Sequence, residues 1–420
     1  MKIVPSYLIQ NLQLNDIVNK VSLPFDHESG YYLLFWWNEV PLGHLFLEAN
    51  QQHSTNELRS EIIKSIEPAV DFYISKLKSV QGNYKDAFLK KNGSLFSTIM
   101  EEIFSPYQIN SFPNKVPVTV IICTRNRSMD LQRCLHSLKA QKSSPEEIIV
   151  VDNAPDDEST FKIVEQHNNA IYILEKRPGL SIARNTGIKK ATSPIIAWID
   201  DDVVVHPDWL FRMWEVFSEM NVVASTGLVI ASELCTESQQ IFEKYWSFNR
   251  GYIEHIYDSK YFEKHLLYGP PVWEIGAGAN MAFRKSIFDE VGYFDERLGA
   301  GASGCSEDSE MWFRILAKGY VVHYTPRAIV YHQHRKELSS LHKQLFYYMR
   351  GFTAASLFQQ SSNKKADYHK RLLRLLPRHY YGLFRAGFPK YKFRHRTLLS
   401  ELSGIVSGIL FFQKHKNKSS

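Results

Sequence analysis

A chain of 420 residues with 44% hydrophobic and 22% charged residues has length for two or three domains and ample material for a core. Its four cysteines, Cys123, Cys134, Cys235 and Cys305, are far apart with no CxxC pair, which argues against a zinc site or a disulfide framework and suits a reducing cytoplasm. Net charge is +6, but residues 341–420 hold 16 Lys/Arg against 2 Asp/Glu, so a body of net −8 bears a tail of net +14.

The opening Met1-Lys2-Ile3-Val4-Pro5 lacks a basic segment followed by a long apolar run, so no signal peptide is expected. No apolar window reaches the ~20 residues of a transmembrane helix. Residues 1–112 form a small α+β module in this reading. Runs at 31–37 and 44–48 flank Asn38-Glu39-Val40-Pro41-Leu42-Gly43 as a hairpin, and Leu58, Ile62, Ile63, Ile66 and Val70 follow helical spacing after a capping Ser54. Trp36-Trp37 could stack on a sugar, although buried packing is the simpler role. Residues 109–114 read as a linker.

From Val116 strands and helices alternate. Strands are expected at 118–123, 147–151, 171–174 and 195–199, with helices opening near Ser128, around 161–164 and near Ser181. The first strand is a nearly continuous β-branched run, as a central parallel strand requires. This βαβαβαβ order implies a mostly parallel sheet with helices on both faces over residues 113–336. Thr124-Arg125, Asp152 and Asp200-Asp201-Asp202 each fall at the carboxyl end of a strand, the edge where open α/β sheets bind ligands. Three adjacent carboxylates repel one another, and a divalent cation carrying a diphosphate would relieve them; a solvated acidic turn before a helix near Pro207 is the plainer alternative. No GxxxxGK[ST] and no GxGxxG follows the first strand. What remains is a mononucleotide held by side chains, with a metal on its phosphates.

These residues resemble the GT-A-fold, inverting glycosyltransferases of family two, which use nucleotide-diphosphate sugars. The likeness rests on 118–127, Val151-Asp152-Asn153-Ala154, Gly179-Leu180-Ser181-Ile182-Ala183-Arg184-Asn185, Asp200-Asp201-Asp202, Gly276-Ala277-Gly278-Ala279-Asn280, Phe294-Asp295-Glu296 and Glu307-Asp308, in the family's order. It implies that Thr124, Arg125 and Asp152 hold base and ribose, and that Asp200 faces the ribose while Asp202 binds Mn²⁺ or Mg²⁺. It also places Asp201, Arg184, Asn185, Asn280 and Glu307 about the donor, with Trp273 a further contact near the transferred sugar. Asp308 would be the base that deprotonates the acceptor hydroxyl. Acids in a first helical turn are favoured by the dipole whatever their task, so a structural role for Glu307-Asp308 stands beside the catalytic one. His332 and His334 share a strand face, and the likeness makes His332 a third metal ligand.

Residues 337–420 read as a basic helical region. The apolar stretch 398–412 is too short and polar to span a bilayer comfortably, but it could lie on an anionic membrane surface. Helices packed on the catalytic domain are the alternative, and no nucleic-acid reader motif is present. The expected protein is a metal-dependent inverting transferase moving a sugar, uridine diphosphate-linked by the resemblance, to a glycan or lipid-linked acceptor in bacterial polysaccharide synthesis. It would be cytoplasmic, or peripheral on the inner face of the cell membrane. A nucleotidyltransferase or a non-catalytic sugar-binding or membrane adaptor is the rival: the first wants a Gly-rich phosphate loop, the second a missing carboxylate, and neither is seen.

Overall fold

The computed structural model describes residues 5–20, 29–51, 53–109, 111–391 and 393–417. Residues 1–4 of the signal-peptide reading and Asn110 of the linker lie outside them.

Strands β1 (Tyr7–Gln13), β2 (Gly30–Trp37) and β3 (Val40–Leu47) form a three-stranded sheet in that order, with β1 parallel and β3 antiparallel to β2. The hairpin turn is only Asn38-Glu39, because Val40, Pro41 and Leu42 already bury their side chains in β3. Asn38 takes the turn's φ of 50°, which asparagine tolerates. The helix Thr55–Ile74 starts at Ser54, whose reciprocal bonds with Glu57 cap it, and buries Leu58, Ile62, Ile63, Ile66 and Val70 as their spacing predicts. Trp36 and Trp37 are buried, Trp36 stacked on His206. They are packing residues.

The second sheet holds β4 (Lys115–Thr124), β5 (Ser144–Asn153), β6 (Ala170–Glu175), β7 (Ile195–Asp200), β8 (Val203–Val205), β9 (Val222–Ala231), β10 (His255–Tyr257), β11 (Asn280–Arg284) and β12 (Val321–His332). Its order is β10-β12-β9-β11-β7-β4-β5-β6, with β8 paired to β12. The block β7-β4-β5-β6 is parallel, as the alternation predicts, whereas β11 enters antiparallel between β7 and β9. Both faces are covered. Val118, Val120 and Ile122 meet the helices Ser128–Lys139 and Trp209–Glu215, while Ile121, Ile149 and Trp198 meet Leu180–Lys190 and Glu307–Ala317. One apolar cluster also joins β2 and β3 to Leu228, Ile230 and Ile329, so the first sheet packs directly on β9 and β12.

After β6 the chain returns past β5 and β4 to lay β7 on the far side of β4. The strand order therefore reverses between β4 and β7, the place where such sheets open a crevice. At the C-terminus the helices Leu338–Ser362 and Leu398–His415 lie along each other. A Cβ on Gly404 would stand 2.3 Å from the Phe346 carbonyl and one on Gly408 2.6 Å from that of Arg350, so only glycine lets these helices approach. Among the described residues no helix is long and apolar enough to cross a membrane.

Candidate active site

Ladder register assembles the site. Cys123 lies opposite Asp200 and Thr124 opposite Asp152, so three strands end side by side at the reversal point. A cleft of about 1720 Å³ opens there, with Arg184, Asp200, Gly278 and Asp308 in its wall and Trp273 and Arg250 further along.

The three acids divide their work. Asp201 turns inward, accepting from Thr124 Oγ1 at 2.7 Å and from Arg127 Nη1 at 2.9 Å. Arg127 also donates to Asp202 Oδ2 at 3.0 Å. Thr124 and Asp201, expected at the nucleotide, are thus tied to each other, since a buried carboxylate needs donors. Asp200 faces the cleft with its side chain 39% exposed. Restricted solvation and the Asp202 charge push Asp200 up to about 7, and burial pushes Asp201 up to about 6 against the pull of Arg127. Burial would raise Asp202 too, but His332, which is protonated only at the low pH where Asp202 titrates, holds it below the usual carboxylate range together with Arg127 and Arg335.

Ligand atoms of Asp200, Asp202 and His332 all lie within 4.8 Å of one another. His332 Nε2 is 3.4 Å from Asp202 Oδ1, an oxygen that is buried without a hydrogen-bond partner. Behind it, His332 Nδ1 lies 3.0 Å from His334 Nδ1, and His334 Nε2 lies 2.8 Å from Glu243 Oε2. The carboxylate can only accept, so His334 carries its proton on Nε2 and receives the Nδ1–H of His332. Burial lowers His332 to about 4, so its ring is neutral and Nε2 is left bare. A lone pair and a carboxylate oxygen then face each other with no proton between them. A divalent cation fits that gap, with His334 and Glu243 orienting the ligand from behind.

Across the cleft the helix Glu307–Ala317 begins with the second acidic pair. Asp308 Oδ2 accepts the Gly278 N–H at 2.7 Å and Oδ1 accepts the Ser309 N–H at 2.6 Å, leaving the carboxylate oriented at the cleft wall. A Cβ on Gly278 would sit 2.8 Å from Arg184 Nη2 and 3.2 Å from Asp308 Oδ2, so this approach requires glycine. Glu307, expected at the donor, is sealed by an ion pair to Arg184 Nη1 at 2.7 Å; burial raises its pKa and the arginine opposes this. Arg184 Nη2 reaches to 3.9 Å from Asp200 Oδ1 and so bridges both acidic groups.

Other expected residues fall elsewhere. Arg125 stands exposed on the rim, and Asp152 is fully buried beneath the crevice, with Tyr172 donating to Oδ2 at 3.0 Å and Oδ1 unpartnered. Burial raises its pKa. Asn185 does not reach the cleft: its amide exchanges two 2.9 Å bonds with the Phe294 backbone. Asn280 is a core residue. It accepts from Trp209 Nε1 and donates to the Leu228 and Ala328 carbonyls, because it starts β11 with its side chain under the sheet. The helix expected near Ser181 runs from Leu180 to Lys190, so Ser181 lies inside it, its hydroxyl donating to the Leu298 carbonyl. Sequence reasoning passed over Arg127, although it stands two residues beyond Arg125 on the loop facing the acids. It also passed over Glu243, which nothing nearby in sequence marks.

An α/β sheet with acids at its reversal point and a second carboxylate across the cleft is a GT-A-type architecture. The mannosyltransferase PcManGT from Pyrobaculum calidifontis, solved in complex with GDP-Man and Mn²⁺, superposes with a TM-score of 0.50 at 17% identity, covering 75% of this chain and 94% of that one. Residues 119–292 match the family Glycosyl transferase family 2, so this part of the chain is a glycosyltransferase domain of that type. Among curated relatives, the glucosyl-dolichyl phosphate glucuronosyltransferase of Haloferax volcanii is 25% identical over 280 residues, 61% of this chain and 83% of that protein. The pre-mycofactocin glycosyltransferase of Mycobacterium tuberculosis is 26% identical over 260 residues, 61% of this chain but only 50% of that protein, so the chain spans about half its length.

Proposed function

We propose that this chain is a metal-dependent, inverting glycosyltransferase that moves a sugar from a nucleoside-diphosphate donor to an acceptor hydroxyl in glycan synthesis. The observation that carries the reading is the confrontation, on one cleft, of the Asp200–Asp202–His332 cluster with Asp308. Two carboxylates and an imidazole suit Mn²⁺ better than the oxygen-seeking Mg²⁺. Held there, the cation supplies charge neutralisation for a leaving diphosphate. Asp152, which the family likeness makes a base contact, stays a candidate for that role at the end of β5 opposite Thr124, beneath the crevice floor. Uridine diphosphate is the first choice.

Asp308, held by the Gly278 N–H, takes the acceptor's proton as that oxygen bonds to the anomeric carbon. The bond from that carbon to the donor's phosphate oxygen breaks on the opposite face, and its electron pair leaves with the nucleoside diphosphate. Configuration inverts and no covalent intermediate is needed. Arg184, between Glu307 and Asp200, supports the departing charge.

The test is calorimetric titration of nucleoside diphosphates with and without Mn²⁺, on the wild type and Asp202→Ala. Binding of one nucleotide that needs both the metal and Asp202 is expected. Binding indifferent to both would overturn the site, and release of pyrophosphate in turnover would point to nucleotidyl transfer instead.

The reading extends to a membrane. Leu373, Tyr381, Phe384 and Phe388 are exposed beside exposed Arg374, Arg378 and Arg385, an apolar face edged with positive charge that fits an anionic bilayer. Such a protein works peripherally on the inner face of the cell membrane. Co-sedimentation with phosphatidylglycerol vesicles but not phosphatidylcholine ones, lost in Phe384→Asp/Phe388→Asp, is expected; equal recovery from both would remove the membrane from the proposal.

A further inference from the structure

Beyond Asp308 the cleft runs along Trp273 towards the C-terminal helices, and two arginines there form no ion pair among the described residues. Arg250 donates from Nη1 to the Ser247 carbonyl at 2.8 Å and from Nη2 to the Trp273 carbonyl at 2.9 Å, while its Nε is buried without a partner. Arg371 donates from Nε to the Tyr268 carbonyl at 2.8 Å and from Nη2 to that of Gly269 at 3.1 Å, and its guanidinium lies 4.7 Å from the Trp273 ring centre. Arg184, Arg212, Arg327 and Arg394 are each paired with a glutamate, whereas Arg59 is held by the Val18, Lys20 and Phe88 carbonyls alone but does not line this cleft. Glu274 on the cleft wall is felt by both Arg250 and Arg371 as a charge, but it forms no ion pair with either among the described residues.

Burial lowers the pKa of both guanidiniums, yet arginine stays charged at neutral pH. A half-buried charge satisfied only by carbonyl dipoles keeps a desolvation cost, and an anion in the cleft offsets it. The place of that anion follows from the neighbours. Both arginines hold Trp273, Arg250 at its carbonyl and Arg371 over its ring, and Trp273 opens the segment that ends at Gly278, whose N–H fixes Asp308. The two arginines therefore belong to the segment that carries the base, on the acceptor's side of the cleft.

We propose that Arg250, at the Trp273 carbonyl, and Arg371, over the Trp273 ring, form a subsite for a phosphate ester carried by the acceptor. The inference rests on the transferase reading and adds the chemical class of acceptor. A phosphate presents several oxygens to two guanidinium forks at once, which a hydroxyl or an amide does not. The indole of Trp273, with Arg371 over one face and Phe352 packed against it at right angles, is an aromatic wall for the sugar beside that ester.

The full chain, saturated with Mn²⁺ and the nucleoside diphosphate it binds, is titrated with inorganic phosphate, decyl phosphate, decanoate and decanol. Decyl phosphate should bind more tightly than decanoate or decanol, and Arg250→Gln/Arg371→Gln should weaken it about tenfold or more while nucleoside diphosphate affinity stays within about twofold. Arg371→Lys, which keeps the charge but loses the fork, is the second variant should the double one unfold, and it should show a smaller loss of the same kind. Decyl phosphate tighter than inorganic phosphate places the ester on a lipid; equal affinities place it on a glycan, and both support the subsite. Decanol or decanoate binding as well as decyl phosphate overturns it, as does binding indifferent to the arginines. Loss of nucleoside diphosphate affinity in the arginine variants also overturns it, by moving them to the donor half; failure of the nucleotide to bind at all would instead strike the transferase reading.

Discussion

The Gly278 N–H donates to Asp308 Oδ2 at 2.7 Å, and this bond joins the loop before β11 to the first turn of the helix Glu307–Ala317. It fixes a carboxylate that lines the cleft opposite the acidic cluster. Asp308→Asn keeps the shape and removes the base, so kcat should fall by about 10²- to 10⁴-fold while the Kd of nucleoside diphosphate with Mn²⁺ stays within a few-fold. Loss of nucleotide binding in parallel with kcat would make Asp308 a donor contact rather than the base.

Proton linkage at the acidic cluster has a definite sign. Asp200 is raised to about 7 and Asp201 to about 6 against an ordinary value of 3.8, so the folded chain holds more protons than the unfolded one between about pH 4 and 7. Stability contributed by these groups is therefore present below the unfolded value and declines as pH rises through that window. A cation needs Asp200 ionised and reverses the trend. The rise in Tm on adding Mn²⁺ should thus be larger at pH 8 than at pH 5.5, with Kd weakening up to about tenfold per pH unit below the Asp200 pKa. Asp200→Asn should flatten this dependence; an equal Tm gain at both pH values would separate metal binding from the cluster.

Asn280 tests how a motif can mislead. Its amide holds Trp209 and two carbonyls of neighbouring strands, with no exposure to the cleft. Asn280→Ala strands those buried partners, and a stability loss of about 3 kcal/mol is expected in chemical denaturation. Nucleotide affinity of the folded fraction should be unchanged. A selective loss of affinity at wild-type stability would return Asn280 to the donor site.

The parallel block was legible because its strands are continuous apolar runs ending in polar residues, a pattern that burial on both faces imposes. The cluster of Asp200, Asp202 and His332 was legible only in part: Asp200 closes β7 and His332 closes β12, but their grouping as metal ligands was expected from the family likeness. Side-chain direction was not legible. Asp201 and Asn280 differ from their useful neighbours only by which way the backbone turns them, and that depends on Arg127 and Trp209 at distant positions. Packing of the first sheet on β9 and β12 was equally hidden, since an apolar face does not name its partner.

Glu243 is the hidden residue with the sharpest consequence. Its Oε1 receives the hydroxyls of Tyr32 at 3.2 Å and Ser247 at 3.0 Å, leaving Oε2 to accept from His334. Glu243→Gln keeps the volume and places the amide NH₂ towards His334, with the amide oxygen still serving the two hydroxyls. His334 Nε2 must then accept, its Nδ1 must donate, and His332 is forced to carry its proton on Nε2, facing Asp202 and the cation. The expected result is a 10- to 100-fold weaker Kd for Mn²⁺, the range for a disrupted ligand-orienting residue, with metal-free Tm nearly unchanged. Metal affinity equal to wild type would show that His332 does not ligate through Nε2, and the cation would then rest on the carboxylates alone.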